Sequence, residues 1–349
     1  MILSRTPFRL TLGGGGTDLP SYYEKHGGLL VAMGIDKYMH VAINPPIVGR
    51  HVRVSGTRNE TVSRAELLTH ELAREALLRH GIRARMEIAS VADLPDGTGL
   101  GSAGCYLVGL LAALRAYRRT PVSPDALAEE AFEIQTAKLG MTVGKQDSWL
   151  AATGGVCALE IGRDGVVKAR PVRVHPSTFS DFVTNVRLYY TGVRRNTIAN
   201  LKDQDRAMRE QDALAHDVVQ DALHHIKDLG YQCLEAIETQ NYDRFGSLMD
   251  EHWQQKKRLS PKVAIPGIDD LYAEARQRFA VLGGKLTGAG GGGFFVAYAP
   301  KNHAPLDAFM YEHGLERMHY AVDYDGARIV SNTASTTTGT IDHEPAPQA

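Results

Sequence analysis

Apolar residues recur along the chain in two patterns, short runs and alternations typical of strands and three-to-four-residue periods typical of helices. Strands are predicted at Ile2–Leu12, Leu29–Met33, Tyr38–Ile43, Arg85–Val91, Val186–Tyr190 and Phe294–Ala299, with a last one within Ala321–Ile329. Helices are predicted at Leu67–Arg79, at 103–117, from Ser123 toward Lys138, and at Ala207–Glu238, Tyr242–Gln255 and Ile268–Ala280. Because strands and helices alternate irregularly, the pattern favours an α+β fold.

Two of these helices carry clear local signals. The segment after Ser102 is apolar on nearly every side, which predicts a buried helix that ends before Pro121. Ser123 or Asp125 can cap the next helix, and Pro124 suits its first turn.

The length of 349 residues, at about 150 residues per domain, predicts two domains. Charged residues and two prolines interrupt the pattern near residues 165–185, which indicates a boundary there. We therefore expect an N-terminal domain at 1–175 and a C-terminal domain at 176–331. The segment 332–349 is rich in Thr and Ser, then acidic and Pro-containing, and is expected to be a flexible tail.

Composition narrows the class of protein. Hydrophobic residues make up 43% and charged residues 23%, which excludes a disordered or fibrous chain. The net charge of -1 gives no electrostatic reason to expect nucleic acid or membrane as a partner. Three cysteines without a CxxC spacing argue against a disulfide framework or a zinc site. The longest apolar run is too short to span a bilayer. Arg5 and Arg9 lie where a signal peptide would need an apolar stretch, so we expect a soluble, cytoplasmic protein.

Glycine is enriched, with 35 residues, and it clusters at 13–16, 97–104 and 283–293. Any one cluster could be a tight turn, but three beside apolar elements favour a shared ligand site. In the second cluster the loop Leu94–Ser102 opens directly into the predicted buried helix. Such a loop presents unpaired N–H groups and the positive end of a helix dipole to an anion, which is what nucleotide phosphates need. It matches neither the Walker motif nor the GxGxxG fingerprint.

This loop resembles the PxxxGLGSSA motif of the GHMP kinase superfamily, which includes galactokinase, homoserine kinase and mevalonate kinase. Pro7–Asp18 resembles the N-terminal sugar-binding motif of that superfamily, and Lys285–Gly293 resembles its C-terminal glycine-rich motif. Further segments are most similar to the D-glycero-D-manno-heptose 7-phosphate kinase branch: Gly14–Asp18, Ile35–Tyr38, Gly144–Asp147, Tyr190–Gly192, Glu251–Trp253 and Lys256–Lys257. The resemblance covers about residues 1–330.

The resemblance implies a two-domain fold, with an N-terminal domain of the ribosomal-protein-S5 type and a ferredoxin-like C-terminal domain. ATP and a phosphosugar would bind in the cleft between them. The implied ATP phosphate-binding residues are Gly97, Thr98, Gly99, Leu100, Gly101, Ser102 and Ala103. The implied sugar-binding residues are Gly14, Gly15, Gly16, Thr17, Asp18, Gly288, Ala289 and Gly290.

The resemblance also implies the catalytic residues. Asp147, in a Gly-Lys-Gln-Asp turn, would accept or orient the proton of the attacking sugar hydroxyl, and Arg9 beside it would stabilise charge on the transferring phosphoryl group. A phosphate elsewhere on the substrate would need cations, because phosphate binds them strongly. The candidates are Arg194, Arg195, Lys256 and Lys257.

Two positions depart from the pattern of mevalonate-kinase-like members, where a second Ser and a Glu hold Mg²⁺. Ala103 and Gln135 stand at those positions here. Mg²⁺ would then be held mainly by ATP phosphates, Ser102 and water, with Lys145 as a substitute cation. The other readings are that Glu133 replaces the missing carboxylate or that activity is lost.

The resemblance implies an ATP-dependent kinase that phosphorylates the anomeric O1 of heptose 7-phosphate, for activated-heptose and surface-polysaccharide synthesis. A related phosphosugar 1-kinase of antibiotic-sugar biosynthesis would use the same chemistry. A catalytically silent sugar and ATP sensor is the alternative of a different class.

Overall fold

The computed structural model describes residues 1–194, 197–209 and 213–333. The strands are β1 Ile2–Gly13, β2 Gly28–Asn44, β3 Val52–Ser55, β4 Glu60–Val62, β5 Met86–Ala92, β6 Val156–Ile161, β7 Val167–Pro171, β8 Val186–Tyr190, β9 Gly283–Leu286, β10 Phe294–Tyr298, β11 Glu316–Met318 and β12 Arg328–Asn332. The helices are α1 Pro20–His26, α2 Glu71–Arg79, α3 Ser102–Arg118, α4 Pro124–Glu133, α5 Gln146–Thr153, α6 Pro176–Asn185, α7 Thr197–Arg209, α8 Ala213–Glu238, α9 Tyr242–Lys257, α10 Ile268–Phe279 and α11 His303–Glu312. This mixture confirms the α+β prediction.

The first sheet is organised around β2. Its eight strands run in the order β12-β1-β2-β5-β3-β4, with β6 also paired to β2 and β7 to β6. The first half of β2 pairs with β6 and the second half with β5, while β1 runs along the opposite edge over nearly the whole length of β2. That continuous partner explains why the two strands predicted at Leu29–Met33 and Tyr38–Ile43 form one strand across the polar residues between them.

The second sheet holds four antiparallel strands in the order β11-β8-β10-β9. In chain order this is 4-1-3-2, with helices between its first and second strands and between its third and fourth strands. That connectivity is the ferredoxin-like arrangement. The helix α9 packs on β9 and β10 of this sheet, and its neighbour α8 packs on β1 and β2 of the first sheet, so this helix pair lies between the two sheets.

The helix α3 is held against the first sheet by buried hydroxyl groups of β1. Ser4 Oγ donates to the carbonyl of Gly109 over 2.7 Å, and Thr6 Oγ1 donates to the carbonyl of Cys105 over 2.9 Å. A Cβ at Gly109 would lie 3.2 Å from Cγ2 of Val41, so the helix lies close to the sheet. The loop that precedes α3 is thereby fixed beside β1.

Several elements differ from the sequence prediction. The predicted helix at Ala207–Glu238 is two helices, α7 and α8, and the Ser123 cap is confirmed, since its Oγ accepts the N–H of Ala126. Sequence patterns missed short or glycine-containing elements such as β9, whose burial depends on tertiary partners. Asn332 ends β12 rather than starting a flexible tail, and residues 334–349 lie outside the described part.

The predicted division at residues 175 and 176 stays a prediction. The first sheet takes its strands from residues 2–171, with one addition, since β12 returns from the C-terminal part to pair with β1. The second sheet lies within residues 186–318. None of the helices described is long and apolar enough to cross a lipid bilayer.

Candidate active site

A cavity of about 910 Å³ lies where the two sheets meet, and all three glycine clusters contribute to its wall. Residues of α5, α7 and α9 also line it, together with residues of β1, β3, β5 and α3. A volume of this size suits a nucleotide together with a small second substrate, because ligand cavities commonly range from about 300 to 1,000 Å³.

The loop before α3 forms one end of the cavity. Gly97, Gly99 and Gly101 have φ angles of 77°, 80° and 94°, in the left-handed region that glycine adopts without strain. Gly101 caps α3 and has no side chain to accept from its first N–H groups, so these are left for an anion. Ser102 and Ala103 also line the cavity.

The other two predicted phosphate-loop residues lie behind the wall and support it through their backbones. Thr98 is buried, and its carbonyl accepts from Thr287 Oγ1 over 3.1 Å. Leu100 is buried as well, and its carbonyl accepts the backbone N–H of Arg9 over 3.1 Å. The loop is therefore attached to β1 on one side and to the third glycine motif on the other.

Arg9 and Asp147 form an ion pair beside this loop. Arg9 Nε and Nη2 donate to Oδ1 of Asp147 over 2.8 Å and 2.5 Å, and Nη1 donates to the carbonyl of Gly99 over 2.6 Å. Arg9 is 4% exposed and Asp147 is 28% exposed. Within the described residues both hydrogen bonds from Arg9 to Asp147 use Oδ1, which leaves Oδ2 for a ligand.

Asp147 does not lie in a turn, as the sequence suggested, but in the first turn of α5. It packs directly on the start of α3. A Cβ at Gly104 would lie 2.7 Å from the Cβ of Asp147, closer than side chains tolerate, and one at Gly101 would lie 3.2 Å from its Cγ. These glycines let the carboxylate reach the phosphate loop.

Asp18 is a second carboxylate on the same wall, 1% exposed. Its Oδ2 accepts the N–H of Gln146 over 3.2 Å and its Oδ1 accepts the N–H of Gly16 over 3.3 Å. A Cβ at Gly144 would lie 1.9 Å from Oδ2, so only glycine fits there. Burial raises the pKa of Asp18, aided by the charge of Asp147, while the backbone N–H groups act in the opposite direction.

Some of the remaining predicted sugar-binding residues line the cavity, and the others lie behind the residues that line it. Gly15, Gly16, Gly288 and Ala289 line the cavity. Gly14 and Thr17 lie behind the wall, where Thr17 Oγ1 donates to the carbonyls of Gly14 and Leu29. Gly290 lies against Val263.

Sequence reasoning missed two residues of α7 that join the glycine motifs. Gln204 Nε2 donates to the carbonyl of Gly16 over 2.9 Å, and Asn200 Nδ2 donates to the carbonyl of Gly290 over 3.2 Å. Both line the cavity. They belong to a segment without a motif, so the sequence carried no signal for them.

Four other residues that line the cavity were also missed, namely Thr11, Gln146, His252 and Lys285. Each lies inside or next to a quoted motif, and that proximity was the available signal. Thr11 Oγ1 donates to Oε1 of Gln146 over 2.5 Å, which holds β1 and α5 together at the cavity.

The four candidate cations for a substrate phosphate are not brought together. Lys256 lies in the cavity wall, where its Nζ donates to the carbonyls of Leu286 and Gly288. Lys257 pairs with Asp269 over 3.1 Å outside the lining, and Arg194 is exposed outside it as well. Arg195 lies outside the described residues.

The residues expected around Mg²⁺ fit an ion that arrives with ATP rather than a protein-built cage. In the described part of the chain no group of three or more His, Cys, Asp and Glu residues could hold a metal. Gln135 is buried, and its Oε1 accepts from Ser148 Oγ over 3.3 Å. Ser102 is the hydroxyl on the wall beside the phosphate loop. Mg²⁺ commonly keeps several waters and binds substrate phosphates with few protein ligands, so this donor set is compatible with it.

Two substitutes considered for this site are wrong. Glu133 lies outside the cavity lining and forms an ion pair with Arg79 at a distance of 2.7 Å, so it supplies no ligand to this site. Lys145 is neither a phosphate ligand nor solvated, since it is buried and its Nζ donates to both oxygens of Glu129 over 2.7 and 2.8 Å.

Comparison with known proteins identifies the family. The GHMP kinases N-terminal domain model matches residues 64–155, and the GHMP kinases C-terminal model matches residues 233–308. The D-glycero-α-D-manno-heptose 7-phosphate kinase of Campylobacter jejuni is 26% identical over 326 residues, covering 90% of this chain and 94% of that protein. A galactokinase of Roseiflexus is 24% identical, covering 99% and 95%.

Solved structures agree on the fold. A D-glycero-D-manno-heptose 1-phosphate kinase from Bacteroides thetaiotaomicron has a TM-score of 0.77 at 21% identity, covering 95% of this chain and 99% of that one. Streptococcus pneumoniae phosphomevalonate kinase, in complex with phosphomevalonate and AMPPNP, has a TM-score of 0.74 at 17% identity, covering 93% and 100%. The two-domain α+β fold expected from the three motifs is thus confirmed. The chain thus matches both the N-terminal and the C-terminal domain of the GHMP kinases, and it is an ATP-dependent sugar kinase.

Proposed function

We propose that this ATP-dependent sugar kinase transfers the γ-phosphoryl group of ATP to the anomeric O1 of D-glycero-D-manno-heptose 7-phosphate. The observation that carries the proposal is the Arg9–Asp147 ion pair beside the phosphate loop. The pair lines the same cavity as the buried carboxylate of Asp18. Two of the four kinases named above, those of Campylobacter jejuni and Bacteroides thetaiotaomicron, are named for heptose phosphates, which supports a heptose phosphate as the acceptor.

Phosphoryl transfer to a hydroxyl group requires a base for the hydroxyl proton and groups that stabilise the negative charge of the phosphates. The N–H groups at the start of α3 bind the phosphates of ATP. Asp147 Oδ2 accepts the proton of the attacking O1 hydroxyl as the bond from O1 to phosphorus forms. The bond from the γ-phosphorus to the bridging oxygen breaks, and ADP leaves with that electron pair. When bound through the phosphates, Mg²⁺ supplies further positive charge there, and Ser102 Oγ is the protein oxygen that would hold it.

Arg9 has two roles in this scheme. It holds Oδ1 of Asp147 with two hydrogen bonds, so that Oδ2 faces the acceptor. Its charge also stabilises the negative charge that develops on the transferring group. A buried guanidinium acts strongly here because it is shielded from water.

Asp18 is proposed to accept hydrogen bonds from sugar hydroxyls. Asp18 is buried and accepts from two backbone N–H groups of the described residues, and a carboxylate can accept more than two hydrogen bonds. Gly15 and Gly16 leave room beside it, and galactokinases carry Glu-His at the matching positions. The lost side-chain bulk supports a larger sugar than galactose. Of the predicted phosphate-binding cations that the structure describes, Lys256 lines the cavity.

The experiment is a coupled assay of ADP release with heptose 7-phosphate, unphosphorylated heptose, galactose and mevalonate, followed by ³¹P NMR of the product. We expect turnover to be fastest with heptose 7-phosphate and the new phosphate to be on O1. A phosphate at another position, or faster turnover of a different acceptor, would contradict the proposal. ATP binding without transfer to any phosphosugar would favour the silent sensor instead, although a sensor has no need of the Arg9–Asp147 pair.

A further inference from the structure

A lysine and a histidine form a buried pair in the cavity wall that the proposed reaction does not use. Lys285 lies in β9 and is 3% exposed, and His252 lies in α9 and is 2% exposed. Lys285 Nζ donates to the carbonyl of Leu12 over 2.9 Å and lies 3.1 Å from Nδ1 of His252. Both residues line the cavity.

This contact fixes where the imidazole proton resides. A lysine ammonium is a donor without an acceptor lone pair, so Nδ1 of His252 accepts and carries no hydrogen. Burial lowers the pKa of His252 well below its usual value, and the charges of Lys285 and Lys256 lower it further. The ring is therefore neutral, and its one proton is on Nε2.

That Nε2–H donor has no partner. It is buried and makes no hydrogen bond within the described residues, although its side chain belongs to the cavity wall. Buried donors without acceptors are rare in native proteins because each one costs free energy. An acceptor on a bound ligand would remove this cost.

The charge around the histidine indicates which kind of acceptor fits. The hydrogen-bond partners of Lys285 are a backbone carbonyl and a neutral ring, and no carboxylate of the described residues lies within ion-pair distance of its Nζ. Burial lowers the pKa of Lys285 to about 8, so at neutral pH it is still mostly protonated. A buried cation without an anionic partner is costly, and an anionic ligand would supply that partner.

The pair lies beside the two motifs expected to bind sugar. Lys285 contacts the backbone of Leu12, which lies on β1 three residues beyond Arg9. The neighbouring Lys256 donates to the carbonyls of Leu286 and Gly288, in the motif expected to bind sugar. The pair is therefore on the acceptor side of the cavity.

We propose that His252 Nε2–H and Lys285 bind the phosphate group that the sugar substrate already carries, and so select phosphosugars over free sugars. The proposal rests on the proposed function for the identity of the ligand, and it assigns the recognition of that phosphate to α9 and β9 rather than to the exposed arginine after β8. Lys285 contacts the phosphate by charge, and it also positions the His252 ring.

The test compares wild type with His252→Phe, which keeps a planar ring without a donor, and His252→Gln, which retains an N–H donor. His225→Phe is the matched control, because His225 lies exposed on α8. Calorimetric titration and initial rates are measured with heptose 7-phosphate, unphosphorylated heptose and ATP. We expect His252→Phe to weaken heptose 7-phosphate about 10- to 100-fold, the loss expected of a hydrogen bond to a charged group, with free heptose and ATP changed less than about 2-fold. His252→Gln should be intermediate and His225→Phe unchanged.

Equal weakening of both sugars, or an unchanged preference for heptose 7-phosphate in His252→Phe, overturns the inference. If the wild type phosphorylates O1 but its preference does not depend on His252, the inference fails and the proposed function stands. If the wild type binds heptose 7-phosphate through His252 but does not phosphorylate O1, the proposed function fails and the inference stands. Lys285→Met, checked for folding by thermal unfolding, should give the same selective loss.

Discussion

Arg9 and Asp147 depend on each other within the site. Arg9 is nearly fully buried, and its side chain donates to the carboxylate of Asp147 and to the carbonyl of Gly99. A buried guanidinium without a carboxylate is costly, so the pair serves folding as well as chemistry. A variant that keeps the shape of Asp147 therefore separates the two roles best.

Asp147→Asn should lower kcat by roughly 100-fold or more, because the amide keeps the volume but cannot accept the hydroxyl proton. The KM for ATP should change little, since the phosphate loop is intact. Steady-state kinetics with heptose 7-phosphate measure both values. Asp181→Asn, at an exposed position of α6, is the control. Near-normal turnover of Asp147→Asn would rule out its role as base.

Asp18 illustrates how a binding carboxylate can cost stability. Burial raises its pKa above the unfolded value of 3.8, so the native state binds a proton more tightly than the unfolded state does. The contribution of Asp18 to stability is therefore present at low pH and is lost as the pH rises through its native pKa.

Asp18→Asn removes this titration. Compared with wild type, the variant should therefore be relatively more stable at pH 7 than at pH 4. Urea unfolding of both proteins at both pH values measures this difference in the free energy of unfolding. The KM for the sugar should rise about 10-fold or more, because a charged acceptor is lost. A difference that is equal at both pH values would show that Asp18 does not titrate in this range.

At the scale of elements, one buried carboxylate joins α2 and α4 to the phosphate-loop helix α3. Glu130 of α4 accepts from Arg79 at the end of α2 over 3.1 Å and from Arg115 of α3 over 2.7 Å. Although burial alone would raise the pKa of Glu130, contacts with His80 and Arg115 lower it to about 2. The carboxylate thereby stabilises the packing that fixes the direction of α3.

Glu130→Gln should lower the free energy of unfolding by about 2 kcal/mol at pH 7, the scale of hydrogen bonds to a charged group. Its neighbour Glu133, 49% exposed, also pairs with Arg79 and is the matched control, for which Glu133→Gln should cost less than about 1 kcal/mol. Because the native pKa of Glu130 is below its usual 4.5, the difference between wild type and Glu130→Gln should shrink as the pH falls from about 4.5 toward 2. A difference that does not change with pH would contradict the ion-pair role.

At the scale of the whole molecule, side chains of β9 and of the residue after it bond to backbone groups of β1 and the phosphate loop at the candidate active-site cavity. Thr287 Oγ1 donates to the carbonyl of Thr98 and accepts the N–H of Phe294. Lys285 Nζ donates to the carbonyl of Leu12. These contacts join the third glycine motif to the phosphate loop and to β1, so ATP and acceptor sites share one wall.

Thr287→Val should raise the KM for ATP several-fold and lower the free energy of unfolding by about 1–3 kcal/mol, because the buried carbonyl of Thr98 and N–H of Phe294 lose their partner. Thr287→Ser keeps the hydroxyl and should behave like wild type. Kinetics and thermal unfolding of both variants check this. Equal behaviour of the Val and Ser variants would show that the hydroxyl does not fix the loop.

The sequence by itself determined the local features of this protein. A glycine-rich loop followed at once by an apolar helix predicts an anion site from local backbone geometry, and α3 begins at Ser102 directly after that loop. The Ser123 cap is equally local, since donor and acceptor are three residues apart. The irregular alternation of strands and helices also predicted the α+β fold, and the resemblance of three motifs indicated the family.

Only the tertiary structure decided which polar side chains share the cavity. Lys145 and Lys285 each lie in a motif. Lys145 pairs with Glu129 outside the cavity lining, whereas Lys285 lines the cavity and donates to the carbonyl of Leu12. Asp147 likewise reaches Arg9, 138 residues away, only because Gly104 allows α5 to pack on α3. The physical reason is that a side chain's partner is set by the packing of elements distant in the chain, whereas caps and glycine loops depend on neighbours in sequence.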